Sequence, residues 1–111
     1  MFLLLVCVLP GCTNESADEA TTPLAKFAQC LKERGATMYG AEWCSHCKKQ
    51  KALFGEDFKH INYKDCESEG EACDQVGIEG YPTWVFGDGA QLMGMQQLET
   101  LAKKTGCEYT P

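Results

Sequence analysis

The sequence predicts a single layered α/β domain. Two observations carry this prediction: short strand-like runs alternate with helical patterns, and the last two strand-like runs flank a hairpin-type turn. The chain has 111 residues, which fits one small domain with a single hydrophobic core. We therefore expect parallel strand pairing early in the chain and antiparallel pairing at its end.

The first predicted helix begins at Thr22 and Pro23. Threonine is a favoured N-cap, and proline is favoured at the first helical position. Apolar residues then recur at helical spacing and make one side of this helix apolar: Leu24, Phe27, Ala28 and Leu31. Gly35 is expected to end the helix.

Strands and helices alternate from residue 36 onward. "ATMYGA" (36–41) is a strand-like run, and "CKKQKALF" (47–54) has a helical pattern with its lysines outward. "INYKD" (61–65) alternates as a strand does, and "EACDQVG" (71–77) predicts a short helix.

The C-terminal part predicts a hairpin and a last helix. "TWVF" (83–86) and "QLM" (91–93) flank the turn "GDGA" (87–90). Three apolar residues mark the helix that follows: Leu98, Leu101 and Ala102. Gly106 is expected to end it.

The N-terminal residues predict export. Residues 1–11 are apolar and uncharged, too short for a membrane-spanning helix of about 20 residues but suited to the apolar part of a signal. "LPGC" (9–12) resembles a bacterial lipobox, which predicts a lipid on Cys12; the alternative is the tail of a longer transmembrane segment. Both interpretations place the remainder outside the cytoplasm. Residues 12–22 predict a polar tether, and residues 23–109 the folded domain.

The composition excludes several classes of partner. Eight cysteines in so short a chain are typical of small, oxidised, exported domains. A zinc site needs four ligands, often supplied as two closely spaced pairs, but the chain has one CxxC pair, and the sequence spacing of His46 and His60 does not form a second pair. The net charge of −6 argues against a nucleic-acid binder, which usually has a basic face. We expect a monomer with no metal and no cofactor.

The pair Cys44 and Cys47, in "EWCSHCKKQ" (42–50), lies where a predicted strand ends and a helix begins. A helix N-terminus favours an anion, so it should stabilise a thiolate on Cys44. His46 can add positive charge or a hydrogen bond, while Cys47 lies deeper and is suited to resolve a mixed disulfide. The alternative is a structural disulfide, but a loop this small restricts the unfolded chain little.

Two motifs, "AEWCSHC" and "GIEGYPTWVF", resemble the thioredoxin family. The resemblance implies a three-layer sandwich, with a central mixed sheet of about four strands flanked by helices. It also implies a cis peptide at Tyr81–Pro82 that faces the cysteine pair and pairs with the substrate backbone. Trp43, Tyr81 and Pro82 are then substrate-binding residues. Pro82 also joins Cys44, Cys47 and His46 as a catalytic residue.

A closer resemblance covers residues 26–106. "MYGAEWCSHCKKQKALFG", "INYKDC" and Cys73 are similar to the thioredoxin-like domain associated with bacterial vitamin K epoxide reductase homologues. This implies exchange with thiols or disulfides of client proteins and with a separate, quinone-linked membrane homologue of that reductase. The chain departs from the pattern at Ser45, where proline is usual, and at Gln97, where a capping serine is common. The buried aspartate of ordinary thioredoxin is replaced by Met38; Glu42, which is nearer the pair, could shuttle protons or be solvated.

Four further cysteines belong to the predicted domain. Together with the active pair they allow 15 disulfide connectivities. Cys66 ends a strand and Cys73 lies in the next short helix, so this pair could stabilise the acidic loop between them or relay electrons; the related domains also carry it. Cys30 and Cys107 remain as a pair by elimination.

Three functions compete. The first is an exported thiol-disulfide oxidoreductase. The second is a non-catalytic binding module that keeps the fold for docking, against which the intact CxxC argues. The third is a copper(I) metallochaperone using Cys44, Cys47 and either Met93 or Met95, because soft sulfur ligands suit that ion.

Overall fold

The computed structural model describes residues 22–111. The helices are α1 (Pro23–Glu33), α2 (Ser45–Phe54), α3 (Gly70–Gln75) and α4 (Leu98–Thr105). The strands are β1 (Thr37–Gly40), β2 (Asn62–Asp65), β3 (Thr83–Val85) and β4 (Gln91–Met93). A 3-10 helix, Gly55–His60, directly follows α2.

The four strands form one mixed sheet in the order β2-β1-β3-β4. β1 pairs parallel to β2, with Met38 opposite Tyr63, and antiparallel to β3, with Met38 opposite Trp84. β3 and β4 form the antiparallel hairpin. The predicted mixed sheet of about four strands, parallel early and antiparallel late, is confirmed.

The main core lies on one face of this sheet. Met38 and Trp84 point to this face, where helices α1, α2 and α4 cover them with apolar residues that include Phe27, Phe54 and Leu101. All five side chains are almost fully buried. Since burying one such side chain contributes roughly 1.5–3 kcal/mol, this face supplies most of the hydrophobic stabilisation of the domain.

The second core, on the opposite face, is much smaller. Tyr39, next to Met38 on β1, points to this face because successive strand residues alternate. Its buried partners are Cys66 and Cys73, and α3, which covers them, has six residues. We infer that the cysteine pair supplies packing that so short a helix lacks.

The element boundaries follow from local capping. The Thr22 hydroxyl accepts a hydrogen bond from the Ala25 amide at 3.0 Å, as expected of an N-cap. Helix α2 begins at Ser45, two residues before the predicted run, because Cys44 acts as its N-cap. Helix α4 begins after Gln97, which makes no side-chain capping hydrogen bond.

The 3-10 helix was not predicted. Gly55 ends α2 with φ +59° and ψ −139°, a conformation that glycine adopts more readily than other residues. The next residues, "EDFKH", carry a single apolar side chain, Phe58, so no helical stripe reveals them. Phe58 packs against Phe54 of α2 and Tyr63 of β2.

Candidate active site

The cysteine pair lies at the start of α2. The Cys44 backbone is extended, and its sulfur accepts a hydrogen bond from the Cys47 amide at 3.1 Å. Both cysteines are free thiols in this structure. The amide and the helix N-terminus both favour negative charge on the Cys44 sulfur, which is the requirement for an attacking thiolate.

The two sulfurs differ in depth. Cys44 retains 5% of its surface and Cys47 retains none. Burial is the largest cause that raises the pKa of Cys47, to about 12, and the hydrogen bond with Cys44 adds to it. Lys51, one turn further along α2, opposes the rise. Cys44 is therefore the sulfur that a client can reach, and Cys47 is held as a neutral thiol.

An aromatic rim lies beside the pair. Trp43 is 63% exposed and meets the Tyr81 ring edge-on, with centroids 5.8 Å apart. The Tyr81–Pro82 peptide is cis, and Pro82 is buried. Tyr81 also packs against the main core, which contains both active cysteines. The structure thus brings together Trp43, Tyr81 and the cysteine pair.

Three further residues named in the sequence analysis of the pair differ in their exposure. His46 is exposed in the first turn of α2. Glu42, with an exposed side chain, lies 3.7 Å from the Lys51 ammonium group. Met38, at the position where ordinary thioredoxin has a buried aspartate, is fully buried in the main core.

Sequence reasoning missed a hydrogen-bond network at Gln50. This side chain is fully buried, and its oxygen accepts from the Trp84 indole at 2.9 Å and from the Gln96 amide at 2.8 Å. Its nitrogen donates to the Gln96 carbonyl at 3.0 Å. Gln50 therefore connects α2 to β3 and to the segment before α4. Gln50 lies three residues after Cys47 and four before Phe54, and this helical spacing was the sequence signal that it shares their buried side of α2.

Glu67 is a second residue that sequence reasoning missed. Its carboxylate accepts a hydrogen bond from the Trp43 indole. Glu67 directly follows Cys66, so the loop enclosed by Cys66 and Cys73 contacts the aromatic rim. No local pattern signals this contact, because 24 residues separate its partners.

Both predicted disulfide pairs are bonded in the structure. The sulfur–sulfur distance is 2.03 Å for Cys66 and Cys73 and 2.09 Å for Cys30 and Cys107. The Cys66–Cys73 disulfide lies in the smaller core, and the Cys30–Cys107 disulfide joins α1 to the segment after α4.

The Cys66–Cys73 disulfide and the active pair lie on opposite faces of the sheet. A side chain at Gly40 would meet the Cys47 sulfur, while the neighbouring Tyr39 packs against Cys66 and Cys73. Alternation along β1 places these two directions on different faces. This separation favours the stabilising role over direct electron relay within the domain.

Other predicted features have different outcomes. The structure does not describe residues 1–21, which include the predicted signal (1–11), Cys12 and all of the predicted tether except Thr22. Met93 is largely exposed on β4, and its sulfur lies beside Gly80. Residues 22–111 contain no group of three or more His, Cys, Asp or Glu residues arranged to hold a metal. Within the same range, no helix has the length and apolarity needed to cross a membrane.

The amino-acid sequence is similar to proteins of known family. A family model described as Thioredoxin matches residues 21–106. The thiol-disulfide oxidoreductase LTO1 of Arabidopsis thaliana is 39% identical over 107 residues, which cover 88% of this chain and 28% of that protein. A protein disulfide-isomerase of Arthroderma benhamiae is 31% identical over 80 residues, covering 64% of this chain and 15% of that protein. The chain thus spans less than a third of either relative.

The fold has a solved counterpart. The oxidized form of mitochondrial thioredoxin 3 from Saccharomyces cerevisiae superimposes with a TM-score of 0.52 at 19% identity, over 75% of this chain and 88% of that one. The sheet order, the cysteine pair at the start of α2 and the cis peptide at Pro82 belong to the segment that the family model matches. The chain belongs to the thioredoxin family.

Proposed function

We propose that this chain is a thiol-disulfide oxidoreductase that exchanges its Cys44–Cys47 pair with client proteins. The observation that carries the proposal is the asymmetry of the pair. Cys44 reaches the surface at a helix N-terminus and accepts an amide hydrogen bond, while Cys47 is buried and neutral. The two curated relatives are named as enzymes of disulfide chemistry, which supports the assignment.

The asymmetry assigns a role to each sulfur. When the pair is oxidised, a client thiolate attacks the Cys44 sulfur; a client–Cys44 bond forms, the Cys44–Cys47 bond breaks, and Cys47 leaves as a thiolate that takes up a proton. A second client thiolate then attacks the client sulfur and releases Cys44 as a thiolate. The client pair loses two electrons, and the cysteine pair gains them. Run in reverse, the same steps reduce a client disulfide.

The aromatic rim is suited to hold the client during this exchange. Trp43 offers a large exposed apolar surface, and its Glu67 and Tyr81 contacts fix the orientation of the indole. Pro82 follows Tyr81 and precedes β3, so an extended client segment at this place would lie along the sheet. We assign substrate binding to Trp43, Tyr81 and Pro82.

We propose that the net direction is client oxidation. His46 lies in the first turn of α2, where positive charge or a donated hydrogen bond would further stabilise a Cys44 thiolate. This stabilises the reduced pair and makes the disulfide a stronger oxidant. We expect a potential above the roughly −270 mV of thioredoxin. Equilibration with glutathione tests this: a potential as low as that of thioredoxin, or one that His46→Ala leaves unmoved, would refute the oxidant role.

We also propose that the protein works outside the cytoplasm, tethered by a lipid on Cys12, and passes electrons to a membrane vitamin K epoxide reductase homologue. Support comes from the apolar residues 1–11, the "LPGC" motif and the cysteine content of the chain. Mass spectrometry of the native N-terminus tests the anchor, since an unmodified Cys12 would exclude it. Reconstitution with a membrane homologue and a quinone tests the partner by following quinone reduction.

The central experiment compares single-cysteine variants. Cys47→Ser should accumulate a mixed disulfide with a client peptide that itself carries a disulfide: the Cys44 thiolate attacks one client sulfur, the client bond breaks and the other client sulfur leaves as a thiolate. The adduct persists because the resolving thiol is gone. Cys44→Ser should form the corresponding adduct through Cys47 much more slowly, because Cys47 is buried. In the reduced wild type, alkylation at mildly acidic pH should label Cys44 long before Cys47. Preferential labelling of Cys47, or trapping through it, would overturn the assignment.

A further inference from the structure

The side chain of Tyr63 carries a buried hydroxyl that does not contribute a hydrogen bond to the fold. Among the buried side-chain nitrogens and oxygens of residues 22–111, its hydroxyl oxygen is the one without a hydrogen-bond partner. Leaving such a group unpaired in the protein interior destabilises the fold, because its hydrogen bonds to water are lost and not replaced. A phenylalanine at this position would avoid that cost, so the hydroxyl calls for a role outside the packing of this state.

The Tyr63 hydroxyl and the resolving sulfur both lie beside Gly40. A β-carbon built on Gly40 would stand 2.9 Å from the Cys47 sulfur and 3.4 Å from the Tyr63 oxygen. Both atoms therefore border the same small space above Gly40, which is open because glycine has no side chain. Tyr63 reaches it from β2, which pairs with β1 in parallel, and Cys47 reaches it from α2.

The surroundings keep Tyr63 protonated. Burial is the main cause that raises its pKa above the ordinary value, and the nearby acidic groups, with Asp65 as the largest contributor among them, act in the same direction. The cation that faces it is Lys51, whose ammonium nitrogen lies 4.3 Å from the ring centroid. A phenol that stays protonated can donate a hydrogen bond but cannot serve as a base.

We infer that the Tyr63 hydroxyl is a positioning group that donates a hydrogen bond to the Cys47 sulfur when that sulfur becomes a thiolate. The inference rests on the proposed exchange reaction. When a client thiolate attacks Cys44, the bond between Cys44 and Cys47 breaks and its electron pair stays on Cys47, inside the core. The hydroxyl stabilises this leaving group until a proton arrives; in reverse it stabilises the same thiolate as the nucleophile.

Tyr63→Phe is the direct test, because it removes the hydroxyl and keeps the ring that packs against Phe58 and Lys51. Tyr109→Phe is the matched control, since that ring packs on Phe27 in the main core. We expect the full-length Tyr63→Phe protein to oxidise a dithiol peptide about tenfold more slowly. Its equilibrium potential and its Cys44 alkylation rate should match wild type, because Cys47 is neutral in the reduced protein.

A second measurement does not require exchange activity. In a Cys44→Ala background, alkylation of Cys47 at fixed alkaline pH is followed on its own peptide by mass spectrometry. Tyr63→Phe should slow it about three- to tenfold, because a lost donor lowers the thiolate fraction while the sulfur becomes only somewhat more nucleophilic. Replacing Tyr63 by 3-fluorotyrosine should raise the rate of Cys47 alkylation, because a more acidic hydroxyl is a stronger hydrogen-bond donor. This second variant keeps the test decisive if the Tyr63→Phe protein folds poorly.

The outcomes separate the two proposals. Unchanged Cys47 alkylation in both Tyr63 variants would overturn the role of the hydroxyl, as would equal slowing of exchange by Tyr109→Phe. A wild-type protein that oxidises no dithiol would refute the proposed function, while the alkylation series would still decide whether Tyr63 acts on Cys47.

Discussion

The two structural disulfides should differ in how strongly they stabilise the domain. Cys30 and Cys107 are separated by 77 positions in the chain, and Cys66 and Cys73 by 7. A cross-link stabilises mainly by lowering the entropy of the unfolded chain, and its effect grows with the logarithm of the enclosed length. The perturbation is a pair of double variants in which alanine replaces both cysteines of one disulfide.

The loop lengths give the magnitudes. With the chain-entropy relation at 25 °C, the long loop contributes about 4.5 kcal/mol to the free energy of unfolding and the short loop about 2.5 kcal/mol. Packing losses should be similar, because three of the four cysteines are buried and each variant removes two sulfurs. For a domain of this size, the difference of about 2 kcal/mol corresponds to roughly 8–16 °C in melting temperature.

Thermal unfolding of the two variants beside wild type, followed by circular dichroism, is the assay. The Cys30/Cys107 variant should melt lower than the Cys66/Cys73 variant, and the latter should keep most of its disulfide exchange. If the Cys66/Cys73 variant melts at the same or a lower temperature, the entropy reasoning fails, and the packing of the second core would be the larger effect. Retained stability with loss of exchange would instead indicate electron relay.

Three further predictions concern the active site and its supports. The reduced protein should lose stability as pH rises above about 9, the ordinary pKa of the Cys47 thiol. The reason is that Cys47 keeps its proton in the folded state up to about pH 12 but loses it on unfolding above about pH 9. Urea titrations between pH 7 and 10 measure this, and a flat profile would contradict it. Gln50→Ala should lower the free energy of unfolding by about 1–3 kcal/mol, because it leaves the buried Trp84 indole without its hydrogen-bond acceptor. Denaturant unfolding measures this change. An unchanged free energy of unfolding would show that the domain does not depend on the network. Glu67→Ala should increase the mobility of the Trp43 indole, which would be seen as lower fluorescence anisotropy. The free energy of unfolding should change by less than about 1 kcal/mol, because the contact is exposed. Unchanged anisotropy would mean that Tyr81 alone orients the indole.

Much of the fold was predictable because its signals are local. Thr22 and Pro23 carry their own helix-start chemistry, and the cap forms as expected. The hairpin between β3 and β4 follows from a glycine-rich turn between two strand-like runs. The start of α2 was harder to place, because cysteine is not a usual N-cap and the helix includes three residues of the CxxC motif before the first lysine.

The unpredicted parts of the site depend on partners from distant elements. Gln50 lies in a run of lysines and would be expected to face solvent, but the indole of Trp84, 34 positions away, satisfies it in the core. The Tyr63 hydroxyl depends on Gly40 and Cys47, which approach it from β1 and α2. Helical spacing can place Gln50 on the buried side of α2 with Cys47 and Phe54, but the sequence does not show which distant group pairs with its amide.

The bond between Cys30 and Cys107 has a mechanical consequence. A pulling force applied at the two ends of the described chain passes directly from one sulfur to the other, without loading the strands between them. Only the residues before Cys30 and after Cys107 can then be extended, and the sheet, α2 and the active pair all lie within the protected segment. A tether attached ahead of α1 could therefore be put under tension without stretching the segment that carries the reactive sulfurs.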